Sequence, residues 1–223
     1  MTREKKSDHR TFIRRTWYHI CRYVMHIILV GYWRLRSWGV ENIPQEGAVL
    51  VISNHQSLLD PPIVGCPSRR RMNFLARKTL FRFSFFGWLI DSVGAIPLNR
   101  DGMGIEGIKE SLRRLKQGEI LCVFPEGTRS EDGSLRALKP GFFGLAKKTK
   151  AAILVTVIDG AYQAWPRNKS LPRPGRVHVF YDKPISYEDY KDQTEEEFLE
   201  RIANRMEECL AIIRTHPDFD RAE

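Results

Sequence analysis

The chain has 223 residues, of which 42% are hydrophobic and 28% are charged. This composition is typical of one packed domain, with or without a small appendage, and argues against disorder. No apolar run reaches the ~18 to 20 residues that a membrane-spanning helix needs. The purest run, residues 27–33, lies between His26 and Arg34. With no small-residue cleavage site after this run, we do not expect a secretory signal either.

The net charge of +9 is unevenly distributed. Residues 1–40 carry nine basic and two acidic side chains, and residues 69–82 carry six basic and no acidic ones. Residues 188–208 instead carry nine acidic and three basic side chains. This pattern predicts an anionic partner for one side of the molecule, which could be a phosphate ligand, a membrane surface or a nucleic acid.

The cysteine and histidine patterns do not favour a metal site. The four cysteines are far apart and none of them forms a CxxC pair, which is typical of reduced thiols in a cytosolic setting. The six histidines show no spacing of paired metal ligands. Nucleic-acid binding remains an alternative because the pI is about 9.5, but no zinc-finger, RRM or KH signature is present.

A helix is predicted between Ile13 and Leu29, with an apolar face and an opposite basic face. The apolar face contains Ile13, Trp17, Ile20, Val24 and Ile28. The basic face contains Arg15, His19, Arg22 and His26. This pattern predicts a helix that lies in the membrane interface and is attracted to anionic lipid, and docking on the chain's own domain is the alternative. We therefore separate a basic amphipathic membrane-surface segment, residues 1–39, from a main domain, residues 40–223.

Apolar strands alternate with helices in the main domain. This alternation, with strands apolar on both sides, predicts an α/β fold with a mostly parallel or mixed sheet covered by helices on both faces. Thr194 and Glu197 form a capping-box pattern before the last helix. Residues 83–90 are a second candidate for membrane contact or for lining the acyl chain, and a core helix is the alternative. Strands are predicted at 48–53, 72–76, 94–98, 119–124, 151–158 and 176–181, with helices at 105–115 and 142–146.

Three polar segments follow apolar strands, where active residues of such folds gather. The first is NHQSLLD, residues 54–60. On an ideal helix His55 and Asp60 would point about 140° apart, so they can meet only where the chain turns between them. A carboxylate on one imidazole nitrogen fixes the tautomer and leaves the other nitrogen free as a base. A loop histidine beside a helix-capping aspartate is the simpler alternative.

The other two segments deliver cations and a carboxylate. FPEGTRS, residues 124–130, combines Glu126, Gly127, Thr128 and Arg129 in a turn that could bind a polyol phosphate, and a plain turn is the alternative. GAIPLNR, residues 94–100, brings Arg100 to another strand end. The concentration of a base, a carboxylate and two cations at three strand ends predicts a common site.

These motifs resemble those of the PlsC-like glycerolipid acyltransferases, typified by 1-acyl-sn-glycerol-3-phosphate acyltransferase. NHQSLLD matches the family pattern NHxxxxD, GAIPLNR matches GxxxxxR, and FPEGTRS matches letter for letter. The order and the gaps of the blocks also fit, and the resemblance covers roughly residues 40–185. It implies that residues 40–223 form an acyltransferase domain.

The resemblance also implies roles for single residues. His55 would be the general base on the acceptor hydroxyl, and Asp60 would orient it. Arg100 and Arg129 would hold the acceptor phosphate, with Glu126, Gly127 and Thr128 near the glycerol. Arg77 and Lys78 stand where the family often has a basic phosphate-binding residue, although a solvated basic face is equally consistent with them.

The reaction implied is acylation of 1-acyl-sn-glycerol 3-phosphate to phosphatidate at the cytoplasmic side of a membrane, by a peripheral or monotopic protein. The partners implied are an anionic membrane surface, a lysophosphatidate-type acceptor, and acyl-CoA or acyl-carrier protein as the donor. No metal, other cofactor or nucleic acid is expected. Remodelling of another lysophospholipid and a non-catalytic lipid-binding role are the alternatives.

Overall fold

The computed structural model describes residues 3–79, 90, 95–98 and 104–215. Within them, six α-helices, two short 3-10 helices and seven strands are defined. The helices are α1 (Arg3–Trp33), α2 (Asp60–Gly65), α3 (Gly104–Lys116), α4 (Gly141–Thr149), α5 (Ala161–Ala164) and α6 (Glu195–Thr215). The strands are β1 (Arg36–Trp38), β2 (Val49–Ser53), β3 (Met72–Arg77), β4 (Ile96–Leu98), β5 (Ile120–Val123), β6 (Ala152–Asp159) and β7 (His178–Tyr181).

The described strands form one sheet in the order β1-β7-β6-β2-β5-β3-β4. All neighbours are parallel except β6 and β7, which are antiparallel. This confirms the predicted mixed α/β sheet. Because β2, β3, β4, β5 and β6 run in the same direction, their carboxyl ends lie at one edge of the sheet, here called the catalytic edge.

The central strands are buried on both faces, which explains their apolar composition. On β2, Leu50 and Ile52 pack towards α4 and α6, whereas Val49 and Val51 pack towards α1 and α2. Each of these four side chains is completely buried. Successive residues of a strand point to opposite faces, so a five-residue segment contributes to two separate cores.

The last helix begins as the capping-box pattern predicts. The Glu197 amide donates to Thr194 Oγ1 at 3.2 Å, and the Thr194 amide donates to Glu197 Oε2 at 2.8 Å. These two bonds satisfy amides that the first helical turn leaves without a partner. Strand β1 was not predicted. It lies within residues 1–39, yet it pairs in parallel with β7 and so belongs to the main sheet.

Helix α1 packs on the domain through the side that contains Arg22. The Arg22 guanidinium donates to the carbonyls of Cys66 and Ser68 at 2.8 and 2.7 Å, just beyond the end of α2. Leu29 and Trp33 are buried on the same side. The opposite side exposes an apolar stripe, which consists of Ile20, Tyr23, Val24, Ile27, Ile28, Val30 and Tyr32. The helix does dock on its own domain, but through the face that includes Arg22 and not through the predicted apolar face.

Candidate functional site

The loop that joins β2 to α2 carries the predicted His55 and Asp60 at the catalytic edge. The chain turns between the two residues, and α2 begins at Asp60. His55 Nδ1 and Asp60 Oδ2 are 2.7 Å apart. The turn that the two residues need in order to meet is therefore present, as the spacing required.

Asp60 is fully buried and its Oδ2 atom accepts three hydrogen bonds. Besides the imidazole, the amides of Gln56 and Ser57 donate to this oxygen at 2.6 and 2.7 Å. A buried carboxylate needs such donors to remain ionised. An ionised Asp60 keeps the proton of His55 on Nδ1, so the lone pair of Nε2 is free to accept a proton.

The His55 ring is held on a second side by an aromatic ring. The Phe124 ring lies 4.3 Å from the imidazole, centroid to centroid, with an angle of 18° between the planes. The His55 side chain remains 20% exposed. The ring is thus fixed by Asp60 and Phe124 while it stays open to solvent, which is the geometry that a general base requires.

The backbone of the histidine loop is tied to the ends of two neighbouring strands. The Asn54 side chain donates to the Ile158 carbonyl at 2.8 Å and accepts from the Ile158 amide at 2.7 Å, next to the end of β6. The Ser130 amide donates to the His55 carbonyl at 2.7 Å. These bonds fix the loop against both β6 and the segment that follows β5.

Glu126 lies behind the histidine loop, with only 3% of its surface exposed. Its Oε1 atom accepts the His55 amide at 2.9 Å. Burial, reinforced by the nearby Asp60 charge, raises the pKa of Glu126 to about 7, although the hydrogen bond from His55 opposes the shift. Within the described residues, its second oxygen has no hydrogen-bond partner. Glu126 therefore supports the backbone of His55 in this structure.

The turn after Glu126 is closed by the Gly127 amide, which donates to the Phe124 carbonyl at 3.0 Å. Gly127 has a φ of 72°, and a Cβ placed on it would lie 2.8 Å from Lys139 Nζ. Glycine adopts this left-handed conformation without strain, and any larger residue would also have to displace the end of the Lys139 side chain. On the other side of the turn, Arg167 Nη1 donates to Thr128 Oγ1 at 3.3 Å. Two cations therefore flank the exposed side of the turn.

The remaining predicted residues are only partly described. Arg129 is half-buried in the same turn, and Lys78 is exposed directly after β3. Strand β3 contains Arg77, whose side chain lies outside the described part of the chain. Arg100 and residues 83–89 also lie outside it. Strand β4 does end at Leu98, at the catalytic edge.

Sequence reasoning missed several residues that build the site. Three of them lie inside the motifs identified in the sequence: Gln56, Ser57 and Phe124. No sequence pattern marks the backbone amides of the first two or the ring of the third. Lys139 comes from the segment before α4 and had no signal. Arg167 lies in residues 165–176, a cation-rich segment with three prolines that the charge analysis could have found.

Comparison with known proteins places these features in a family. A family model described as Acyltransferase matches residues 34–159. The chloroplastic 1-acyl-sn-glycerol-3-phosphate acyltransferase LPAT1 of Arabidopsis thaliana is 30% identical over 177 residues, which cover 77% of this chain and 49% of the relative. The 1-acyl-sn-glycerol-3-phosphate acyltransferase of Bacillus subtilis (strain 168) is 24% identical over 202 residues, which cover 90% of this chain and 98% of the relative.

The chain spans about half the length of the plant relatives it matches. Its fold is that of the crystal structure of PlsC from Thermotoga maritima, a 1-acyl-sn-glycerophosphate acyltransferase, with a TM-score of 0.81 and 24% identity. The match covers 93% of this chain and 83% of the crystallised chain. The family model spans more than half of the chain and includes both the histidine loop and the Glu126 turn. This chain belongs to the acyltransferase family.

Proposed function

We propose that the chain moves a fatty acyl group from an acyl thioester to the free hydroxyl of 1-acyl-sn-glycerol 3-phosphate, giving phosphatidate. The observation that carries the proposal is the 2.7 Å contact between His55 Nδ1 and the buried Asp60 carboxylate. This contact leaves Nε2 as a free base on a partly exposed ring. The names of the relatives from Arabidopsis and Bacillus favour the same acceptor.

In the proposed reaction, His55 alone accepts the transferred proton and then gives it up again. Nε2 accepts the hydroxyl proton of the acceptor while the oxygen attacks the thioester carbonyl and forms the new C–O bond. The C–S bond then breaks, and the imidazolium gives its proton to the departing thiolate. The buried Asp60 carboxylate stabilises the imidazolium between the two transfers. A general base of this kind contributes about 10²- to 10⁴-fold to the rate.

The acceptor phosphate is proposed to bind at the turn that contains Arg129. Arg129 and Lys78 remain its proposed partners, together with Arg77 and Arg100. Lys139 and Arg167 join this set because they flank the turn at Gly127 and Thr128. Guanidinium groups bind phosphate with paired hydrogen bonds, and lysine adds a mobile point charge. The glycerol would then lie beside Gly127 and Thr128, with its free hydroxyl towards His55.

The donor is proposed to be acyl-CoA or acyl-carrier protein. Both supply a thioester, so the transfer to an alcohol runs downhill and the balanced steps use no metal or further cofactor. Both donors are also anionic, since one carries phosphates and the other is an acidic protein. The net charge of +9 suits either of them.

The apolar stripe of α1 is proposed to lie in a membrane surface. Its seven side chains are each at least 44% exposed and occupy the side of the helix that faces away from the domain. A large exposed apolar patch marks an interaction surface, and an acceptor with a fatty acyl chain resides in a bilayer. We propose the cytoplasmic side of the membrane, where anionic lipids attract basic proteins.

No helix among the described residues contains a stretch long and apolar enough to cross a bilayer.

Replacement of His55 tests the chemistry. We expect His55→Ala to reduce acyl transfer from a labelled acyl-CoA to lysophosphatidate by about 10²-fold or more, because no base remains. His19→Ala is the matched control, since His19 is exposed on α1. The circular dichroism spectrum and vesicle binding should be unchanged in both variants. Transfer at the wild-type rate by His55→Ala would contradict the mechanism.

Replacement of Arg129 tests the acceptor. Loss of a charged hydrogen bond to phosphate should raise the acceptor KM in Arg129→Ala by about tenfold or more, with a smaller rise in Arg129→Lys. Lys148→Ala, an exposed cation on α4, should leave the KM unchanged. Lysophosphatidylcholine, whose phosphate is esterified, should be a poor acceptor for the wild type. Equal use of both acceptors would instead indicate lysophospholipid remodelling.

Glu126 gives a prediction about stability and pH. The pKa of Glu126 is about 7 in the folded chain and near 4.5 in the unfolded chain. Between pH 4.5 and pH 7, the folded chain therefore holds a proton that the unfolded chain releases. The free energy of unfolding should therefore fall as the pH rises through this interval. Glu126→Gln cannot titrate but keeps an oxygen for the His55 amide. The free energy of unfolding of Glu126→Gln, relative to that of wild type, should rise by up to ~3 kcal/mol between pH 4.5 and about pH 8.

Urea unfolding of both proteins at the two pH values measures this difference. If the difference in the free energy of unfolding does not change with pH, the pKa of Glu126 is not raised in the folded chain.

Replacement of Ile27 tests the membrane surface. Ile27 is 54% exposed on α1, and Ile212 is 44% exposed on α6, at the opposite face of the sheet. A charge in a membrane-embedded stripe should reduce the partition of Ile27→Asp into vesicles by about tenfold or more. Ile212→Asp should partition like wild type. Equal vesicle binding by all three proteins in a sedimentation assay would rule out the α1 surface.

A further inference from the structure

The segment between α5 and β7, residues 165–176, is here called the basic loop. It contains four cations and no carboxylate, and Leu171 lies between Lys169 and Arg173. Leu171 is 77% exposed, more than any side chain of the apolar stripe of α1. None of its four cations forms an ion pair within the described residues. The loop therefore presents unneutralised positive charge around an apolar side chain.

The basic loop has a defined conformation. Trp165 Nε1 donates to the Lys169 carbonyl at 3.0 Å, and the Arg173 amide donates to the Ala164 carbonyl at 2.8 Å. At its far end, Arg176 approaches Gly160 so closely that a Cβ on the glycine would lie 2.0 Å from the Arg176 carbonyl oxygen. These contacts close the loop at its base. Leu171 lies within the segment that they close, and its side chain is exposed.

The sheet topology puts the basic loop at the catalytic edge. Strand β6 ends there at Asp159, and the antiparallel β7 begins opposite it at His178. The loop also contacts the site directly. Ser57 Oγ donates to the Trp165 carbonyl at 2.9 Å, and Arg167 reaches Thr128. The segment therefore borders the site that contains His55.

The same edge receives the end of α1. Strand β1 runs parallel to β7, so the chain that leaves α1 enters the sheet beside His178. Trp33 Nε1 donates to the Arg173 carbonyl at 2.9 Å, and the Val177 amide donates to the Trp33 carbonyl at 3.1 Å. The last turn of α1, the basic loop and the histidine loop are thus neighbours.

We propose that the basic loop is a second membrane contact, in which Leu171 enters the lipid while Lys169, Arg173 and Arg176 bind anionic headgroups. The inference rests on the proposed membrane function of α1 and extends it to an element next to the active site. Charge complementarity favours an anionic bilayer as the occupant, since each such cation strengthens binding about fivefold. An exposed leucine beside these cations adds the apolar contact typical of interfacial segments.

The proposed membrane contact determines the side from which the acceptor would reach the site. With α1 and the basic loop on the same membrane, the catalytic edge, where the end of α1 meets the loop, would face the bilayer. A lysophosphatidate-type acceptor could then reach the Glu126 turn while its acyl chain remains in lipid. Arg167, at the inner end of the loop, would meet the phosphate as the acceptor enters.

Vesicle sedimentation of the full chain tests the proposal with two loop variants. One removes charge, Lys169→Gln with Arg173→Gln, and the other removes the apolar tip, Leu171→Asp. The matched control is Lys116→Gln with Lys148→Gln, which removes two exposed cations from α3 and α4. Vesicles contain either phosphatidylcholine alone or equal parts of phosphatidylcholine and phosphatidylglycerol. Thermal unfolding midpoints establish that each variant is folded.

We expect the charge variant to bind the anionic vesicles about 25-fold more weakly, with a shallower dependence on salt and little change on neutral vesicles. Leu171→Asp should weaken binding to both kinds of vesicle about tenfold. The control variant should stay within about twofold of wild type on both. Wild-type binding by the folded loop variants would overturn the proposal. A raised KM for acyl-CoA with unchanged vesicle binding would also overturn it, because the loop would then serve the donor.

Two companion variants separate this outcome from failure of the proposed function. If Ile27→Asp binds normally while the loop variants do not, the loop contact stands and the α1 surface is wrong. If His55→Ala retains acyl transfer, the proposed chemistry fails, but the vesicle measurements still decide the role of the loop. If wild type does not bind vesicles, both membrane contacts are rejected.

Discussion

One carboxylate oxygen, Oδ2 of Asp60, organises the candidate site. It accepts the imidazole N–H of His55 and the amides of Gln56 and Ser57, all at 2.6 to 2.7 Å. The first backbone amides of a helix have no partner within the helix and can bind an anion. In α2 the second and third residues are prolines, which have no N–H to donate. The loop amides take over this task. The same oxygen therefore holds both the imidazole and the bent loop, so the orientation of His55 and the path of the backbone have a common origin.

Sheet topology determines what can be assembled around that oxygen. Parallel strands deliver the histidine loop and the Glu126 turn to neighbouring positions, because β2 and β5 are adjacent and end together. The antiparallel β7 has a different consequence. It returns the chain to the catalytic edge and places the basic loop there, while the parallel β1 brings the end of α1 to the same place. Two reversed strands, β7 and β1, thus join the histidine loop to both proposed membrane contacts.

The sequence predicted those parts of the molecule that depend on local pattern. Apolar β-branched runs identified β2 and β6, and the pair Thr194 and Glu197 marked the start of α6. The NHxxxxD spacing, with the turn it requires, brought His55 and Asp60 together correctly. Three-residue β1 lacks any periodicity, and its pairing with β7 depends on contacts distant in the chain. Lys139 and Arg167 reach the Glu126 turn from separate segments, so no spacing in the sequence predicts that they lie beside it.

The orientation of α1 shows why charge and apolar pattern must be interpreted together. Periodicity gives two faces of a helix but not the partner of each. In a water-exposed helix the apolar face would pack on the domain, yet here Arg22 faces inwards and satisfies carbonyls beyond the end of α2. The guanidinium thereby stabilises the fold and is not available to lipid headgroups. In the proposed membrane contact, attraction to anionic lipid at this edge would then come from other cations, and the basic loop has four of them beside the last turn of α1. The exposed stripe of α1 would then supply apolar area, and the basic loop would add positive charge beside it.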